Sequence, residues 1–207
     1  MASSPWPGGA RIAVMLTFDF DAESLWLARD PSHANRPGPL SQGRYGARVG
    51  VPRLLDVLAQ EQVPATFFIP GWVAEHHPDE CRRIRDAGHE IGHHGYLHER
   101  AKPEEPEAER QAFERGMKAL DAVLGVKPAG YRAPAWDLTP ITLDLVRQHG
   151  MIYSSNLICH PQVIGHPSRL RCLRQLVRFI KGHDGVWWAT GQDVAAHWLA
   201  RERDAKR

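Results

Sequence analysis

The stretch GHEIGHHGYLHE at 88–99 holds four histidines and two glutamates, far more metal-binding and proton-transfer chemistry than an ordinary surface turn requires. His94 and His98 stand four apart, so in a helical turn both imidazoles share one face and can hold a single ion. His89 and His93 repeat the spacing. Ala87–His93, however, reads as a turn followed by a short buried strand, where residues four apart do not converge. A histidine pair without a third ligand is more often a surface or capping feature. The third ligand therefore decides the case. Arg11–Phe20 reads as a buried strand that ends in acids, and Asp19 and Asp21, two apart on an extended chain, project to the same side.

Strands and helices alternate through the rest of the chain. Helices are expected at 52–60, 79–87 (closed by Gly88), 106–124, 139–148 (Thr139 as cap, Pro140 at the first position), 168–180 and 192–201. Strands are expected at 65–69, 89–93, 130–133, 151–155 and 186–190. Residues 22–46, broken by Pro31, Pro37, Gly38, Pro39 and Gly43, are expected as a long loop covering the acids, with Trp26 and Tyr45 as its large aromatics. Residues 1–10 read as a lead-in without a core of their own and 202–207 as a frayed tail. Alternation implies a parallel sheet, open or closed. A distorted or incomplete (β/α) barrel is the favoured fold, because it opens every carboxyl-terminal strand end on one face. Asp19, Asp21, the His94 turn, Arg132 and His160 then converge.

At 207 residues, 43% hydrophobic and 24% charged, the chain suits one globular domain, 1–207. A net charge of +2 with interspersed signs disfavours a nucleic-acid partner. The apolar run Ile12–Phe18 is short and stops at Asp19, so neither a secretion signal nor a membrane span is expected, and a cytoplasmic protein follows. Cys81, Cys159 and Cys172, odd in number and scattered, fit a reducing compartment rather than a disulfide framework. Trp187, Trp188 and Trp198 gather near the C-terminus as core or as the interface of a homo-oligomer.

Five ordered segments, TFDFDAES (17–24), PATFFIPG (64–71), GHEIGHHGYLHE (88–99), GYRAPAW (130–136) and ICHPQVIGHPSR (158–169), resemble the motifs of the polysaccharide deacetylase, or NodB-homology, family. The likeness is to the cytoplasmic branch of peptidoglycan deacetylase-like and allantoinase-like proteins. It implies a distorted barrel of βα units and one divalent metal, zinc or alternatively cobalt or another ion. Asp21, His94 and His98 become the ligands, leaving a zinc position open for water, as hydrolysis needs. Asp19 becomes the catalytic base, oriented and kept ionised by Arg132. His160 becomes the group that protonates the leaving amine. Pro134 and Trp136 wall the pocket, and the backbone N–H of Ala135 takes the oxyanion position. Trp26 and Tyr45 complete the substrate contacts.

The implied activity is metal-dependent hydrolysis of carbon–nitrogen bonds other than peptide bonds, most simply N-deacetylation of an amino-sugar or oligosaccharide. The alternatives are a small cyclic amide or imide hydrolase, and a truncated relative that binds without turnover. Allantoinase-like relatives that dispense with metal replace the early acids, and both acids are present here. One departure stands out: YSSNL (153–157) runs straight into ICHPQ, although parallel strands need a crossover of about a dozen residues. Merged strands, a barrel open on that side, or the lack of one or two βα units after residue 155 would each resolve it. Cys159 reads as a packed thiol. His33, His76, His77, His149, His166, His183 and His197 read as surface or capping residues, and Glu23 and Glu99 as loop or ligand-supporting groups.

Overall fold

A computed structural model describes residues 5–155 and 159–206. Its strands are β1 (Ile12–Val14), β2 (Thr17–Asp19), β3 (Thr66–Ile69), β4 (Glu90–His93), β5 (Gly130–Tyr131), β6 (Tyr153–Ser154) and β7 (Val186–Trp188). Its helices are α1 (Ser24–Arg29), α2 (Pro37–Tyr45), α3 (Val51–Glu61), α4 (Gly71–His76), α5 (Pro78–Asp86), α6 (Pro106–Leu124), α7 (Thr142–Gln148), α8 (Pro161–Ile164), α9 (Pro167–Lys181) and α10 (Gly191–Ala205). Strands β2-β3-β4-β5-β6 form one parallel sheet in that order, and β1 pairs separately with β7, also parallel. The sheet curls into a half-barrel, the incomplete α/β barrel that the alternation implied. Because its strands all run the same way, Asp19, Ile69, His93, Arg132 and Ser155 stand at one rim.

Hydrophobic burial builds the scaffold on both sides of the strands. Phe18, Phe67 and Ile69 pack with Leu54 and Leu58 of α3, Ile84 of α5 and Leu120 of α6, all fully buried. α9 lays Leu170, Leu173 and Val177 on the same core. Its Arg178 donates to the Glu61 carboxylate at 2.8 Å, fastening it beside α3. A smaller cluster of Phe113, Tyr131, Leu145 and Met151 sits between α6 and α7.

Several expectations are corrected. Residues 22–46 are largely helical. Pro31 and Pro37 stand in the first turns of a 3-10 turn (Pro31–Asn35) and of α2, where a missing N–H costs nothing, so they start helices rather than break them. A π-helical turn (Gly46–Gly50) then joins α2 to α3. The single strand expected at 11–20 divides between two sheets, β1 beside β7 and β2 beside β3. Thr139 does not cap α7, which begins at Thr142, because both threonine hydroxyls donate to the buried carboxylate of Glu109. The expected frayed tail continues α10 to Ala205. In the lead-in, Trp6 packs against Trp187 and Trp198 at centroid distances of 5.9 and 5.5 Å. The abrupt junction between YSSNL and ICHPQ falls at 156–158, which lie outside the described residues. Among the described residues no helix is long and apolar enough to cross a membrane.

The barrel interior is filled by stacked side chains. The Arg132 guanidinium lies 4.1 Å from the centre of the Phe68 ring. The Phe68 ring in turn lies 6.3 Å from Tyr153, whose hydroxyl donates to Glu90 at 2.7 Å. Phe68 fits only because its neighbour on β4 is Gly92: a Cβ there would meet two ring carbons at 2.5 Å. Gly92→Ala should therefore lower stability by about 1–3 kcal/mol in chemical denaturation, with partial recovery on adding Phe68→Leu. An unchanged midpoint for the single variant would show that the interior has room to spare.

Candidate metal centre

His94 leaves β4 and His98 follows four residues later, but the intervening chain is a loop and not the helical turn expected. Gly95 (φ 73°) and His98 (φ 64°) take left-handed conformations that fold the loop back on itself. The Glu99 carboxylate holds the loop by accepting the N–H groups of Tyr96 (3.2 Å) and Leu97 (2.7 Å). At the N-terminus of α4, Gly71 and Trp72 donate to the carbonyls of Gly95 and Tyr96. The two imidazole centroids consequently lie 5.0 Å apart at 79°.

Asp21 faces both rings. Its Oδ1 is 3.5 Å from His94 Nε2 and its Oδ2 is 3.7 Å from His98 Nε2. One ligand atom from each of the three residues fits within 4.8 Å of the others, and all three residues are buried. Both Asp21 carboxylate oxygens and His94 Nε2 lack a hydrogen-bond partner. Each such orphan costs about 1–3 kcal/mol in a dry interior, so three of them aimed at one point form a donor set for a cation. The chemistry matches: two imidazole nitrogens and one carboxylate suit zinc or a similar ion. The His94 Nδ1–H donates to the Arg132 carbonyl at 2.7 Å, which turns the Nε2 lone pair inward. Burial pulls both His94 and His98 below the ordinary histidine range, keeping them neutral as ligands must be. For Asp21, burial acts against the anion, but His98, His160 and His94 outweigh it and hold the carboxyl below its usual range.

Arg132, fully buried, organises the other acid. Its Nη1 donates to Asp19 Oδ1 at 2.5 Å, Nη2 to Thr17 Oγ1 (2.9 Å) and Ser155 Oγ (2.8 Å), and Nε to the Ser155 carbonyl (2.8 Å). One side chain thus ties β5 to β2 and to the end of β6 across the barrel mouth. The guanidinium favours the Asp19 anion, as the sequence implied, but it is opposed. Burial, assisted by Asp21, outweighs the guanidinium and pushes the Asp19 carboxyl up to about 6. Asp19 N–H donates to the Cys159 carbonyl at 2.8 Å, drawing His160 to the site. His160 Nε2 stands 3.1 Å from Asp21 Oδ2. Burial opposes the imidazolium, yet Asp21 and Asp19 raise its pKa above the ordinary value.

Asp19, His94, His98 and His160 open into a cleft of about 470 Å³ lined also by Leu25, Ala28, Arg29, Arg100, Ala135 and Trp136. Ala135 (φ 53°) and Trp136 (φ 59°) are both left-handed and stand at its edge. Three expected substrate contacts are placed elsewhere. Pro134 is buried against Gly95, outside the cleft lining. Trp26 and Tyr45 line an adjoining hollow of about 600 Å³ instead, and α1 gives Leu25, Ala28 and Arg29 to the metal cleft.

Leu25, Ala28, Arg29 and Arg100 escaped the sequence reading, as did the Arg132 anchors Thr17 and Ser155. Thr17 had a signal, since it stands two before Asp19 and so shares its face. Burial pushes the Cys159 thiol up to about 11, which suits a packed side chain. Glu23 is engaged by His77 (2.7 Å) and Arg44 (3.1 Å). His77 is thus a part-buried residue at the N-cap position of α5, and His166 stacks on Tyr45 at 4.4 Å.

The profile of the polysaccharide deacetylase family matches residues 9–154, a span that holds all these site residues except Ser155, Cys159, His160 and His166. A peptidoglycan deacetylase from Helicobacter pylori is 34% identical over 147 residues, 71% of this chain and 50% of that protein. The chain spans about half the length of the curated relatives it matches. The crystal structure of a candidate polysaccharide deacetylase from Mycobacterium smegmatis superposes with a TM-score of 0.91 at 34% identity, covering 98% of this chain and 95% of that one. PuuE allantoinase shares the fold, with a TM-score of 0.85 at 22% identity over 95% of this chain and 93% of its own. On the family match and these likenesses together, the chain belongs to the polysaccharide deacetylase family.

Proposed function

We propose that this protein is a divalent-metal hydrolase of non-peptide carbon–nitrogen bonds, with zinc as the ion and an N-acetylated amino sugar as the simplest substrate. The observation that carries the reading is the convergence of three unpartnered buried donors, on Asp21 and His94, beside a second acid held by a buried arginine. When bound, the ion supplies Lewis acidity to the acyl oxygen and acidifies the attacking water. Asp19, fixed by Arg132, takes the proton that water loses, and its elevated pKa places it close to working pH. His160 gives a proton to the departing nitrogen as the C–N bond breaks and the new C–O bond forms, so the products are a carboxylic acid and an amine. The N–H of Ala135 is the proposed oxyanion donor and Trp136 the wall of the acyl pocket. The free thiols of Cys81, Cys159 and Cys172 suit a cytoplasmic compartment.

The second reading, a small cyclic amide or imide, draws on the cover that α1 lays over the cleft through Leu25 and Ala28. Acetate release from chitooligosaccharides, compared with ring opening of hydantoin-like compounds by the zinc-loaded protein, separates the two. In either case Asp19→Asn should lower kcat by about 10²–10⁴ while the metal content stays at the wild-type level. Retained metal with no turnover of any amide would replace both readings with a binding protein.

A further inference from the structure

The position of the proton donor decides where the two halves of a substrate go. His160 borders both the metal cleft and the 600 Å³ hollow beside it, and Leu25 is the other residue that lines both. With the acyl carbon over the ligands and the nitrogen at His160, the acyl half occupies the cleft beside Ala135 and Trp136. The amine half must pass His160 into the second hollow.

That hollow is built for recognition. Trp26 and Tyr45 supply aromatic faces, Gln42 and Gln162 supply amides, and among the described residues its lining includes His166 and Arg169 but no acid. Tyr45 is held on three sides: its hydroxyl accepts from Arg53 (3.0 Å) and donates to the Gly165 carbonyl (3.3 Å), and its ring stacks on His166. Arg169 spends one N–H on the Val163 carbonyl (3.0 Å). Among the described residues no carboxylate pairs with Arg169 or Arg53, nor with Arg29 in the neighbouring cleft. Of the two acids at this rim, Asp19 is paired with Arg132 and Asp21 faces His94, His98 and His160 at 3.5, 3.7 and 3.1 Å. Unmatched cations beside aromatic faces suit a ring that carries an anionic substituent, since a guanidinium binds a carboxylate through charge-assisted, directional hydrogen bonds.

We infer that the hollow between α1, α2 and α8 is the subsite for the amine half of the substrate, and that Arg169 reads a carboxylate borne on that half. The inference rests on the hydrolase reading above. The test uses N-acetylmuramic acid and N-acetylglucosamine, which share the acetamide and the ring and differ by one carboxylate-bearing ether. The zinc-loaded full chain should favour the acidic sugar by about tenfold in kcat/KM, equivalent to one good charged contact. Arg169→Gln should remove that preference through KM rather than kcat, and Arg169→Lys should restore part of it. Calorimetric titration with the same pair reads the subsite independently of turnover. Turnover of both sugars without preference, or a preference that survives Arg169→Gln, overturns the subsite and leaves the hydrolase reading standing. Selective binding lost in Arg169→Gln, with neither sugar cleaved, supports the subsite and counts against the hydrolase. Absence of binding and turnover for both sugars overturns the subsite and the amino-sugar substrate, and leaves the cyclic amide reading to its own test.

Discussion

Asp21→Ala should empty the protein of its divalent ion. The two remaining ligands, His94 and His98, are neutral, so removing Asp21 takes away the only negative charge among the three and leaves a weak bidentate site. Changes merely in the groups that support ligands cost about 10–100-fold in affinity, so loss of a direct ligand should exceed 100-fold. Elemental analysis of protein purified in parallel should find about one equivalent in the wild type and a small fraction of that in the variant. Stability supplies an independent readout. Saturating zinc should raise the wild-type unfolding free energy by about 2.7 kcal/mol at a hundred times Kd and leave the variant unmoved. Without metal the order should narrow, because the variant no longer buries two carboxylate oxygens that lack partners. Equal metal content in the two proteins would remove the basis for the proposed chemistry.

The periodicity of the chain made the architecture readable, and the site was readable wherever it depended on strand ends. Asp19 and Asp21 close a strand whose two-residue period aligns them, and Arg132 and His93 close strands in the same sheet, so convergence follows from parallel topology. The histidine pair converges for a reason that spacing misses. Its loop needs a left-handed residue at Gly95, which glycine advertises, and another at His98, which nothing in the residue type announces. The segment 22–46 hid its helices because α2 buries only Leu40 and Gly43, leaving no apolar stripe to read beneath its prolines. Trp26 and Tyr45, expected on a loop over the acids, consequently stand on helices and line the adjoining hollow. The division of residues 11–20 between two sheets was illegible for another reason: strand partners are chosen by β7 and β3, far along the chain. The upward shift of the Asp19 carboxyl was not legible, because it comes from burial working against Arg132, and burial depends on the whole packed barrel.

Arg132→Met should produce the largest loss of stability of any single change at the site. The guanidinium is fully buried and its four hydrogen bonds reach β2 and the end of β6, replacing the strand pairing that a closed barrel would have there. Methionine fills part of the volume above Phe68 but leaves Asp19, which is 2% exposed, without its partner. Breaking a buried pair from one side costs about 3–5 kcal/mol, or roughly 6–20 °C in Tm for a domain of this size. Arg132→Lys keeps the charge but cannot reach Asp19, Thr17 and Ser155 together, so it should fall between the two. The cost should also depend on pH. In metal-free wild type the Asp19 carboxyl is already raised to about 6, and without Arg132 it must rise further. A folded state with a raised carboxyl pKa binds more protons than the unfolded state above the unfolded pKa, so it loses stability as pH rises through that window. The deficit of Arg132→Met should therefore be largest above pH ~7 and shrink toward pH ~5. Adding Asp19→Asn removes the stranded charge, and the double variant should recover more than about 1 kcal/mol relative to the sum of the single changes. Additivity within about 0.5 kcal/mol, at both pH values, would mean that Arg132 acts only as packing and that the barrel mouth is closed by other contacts.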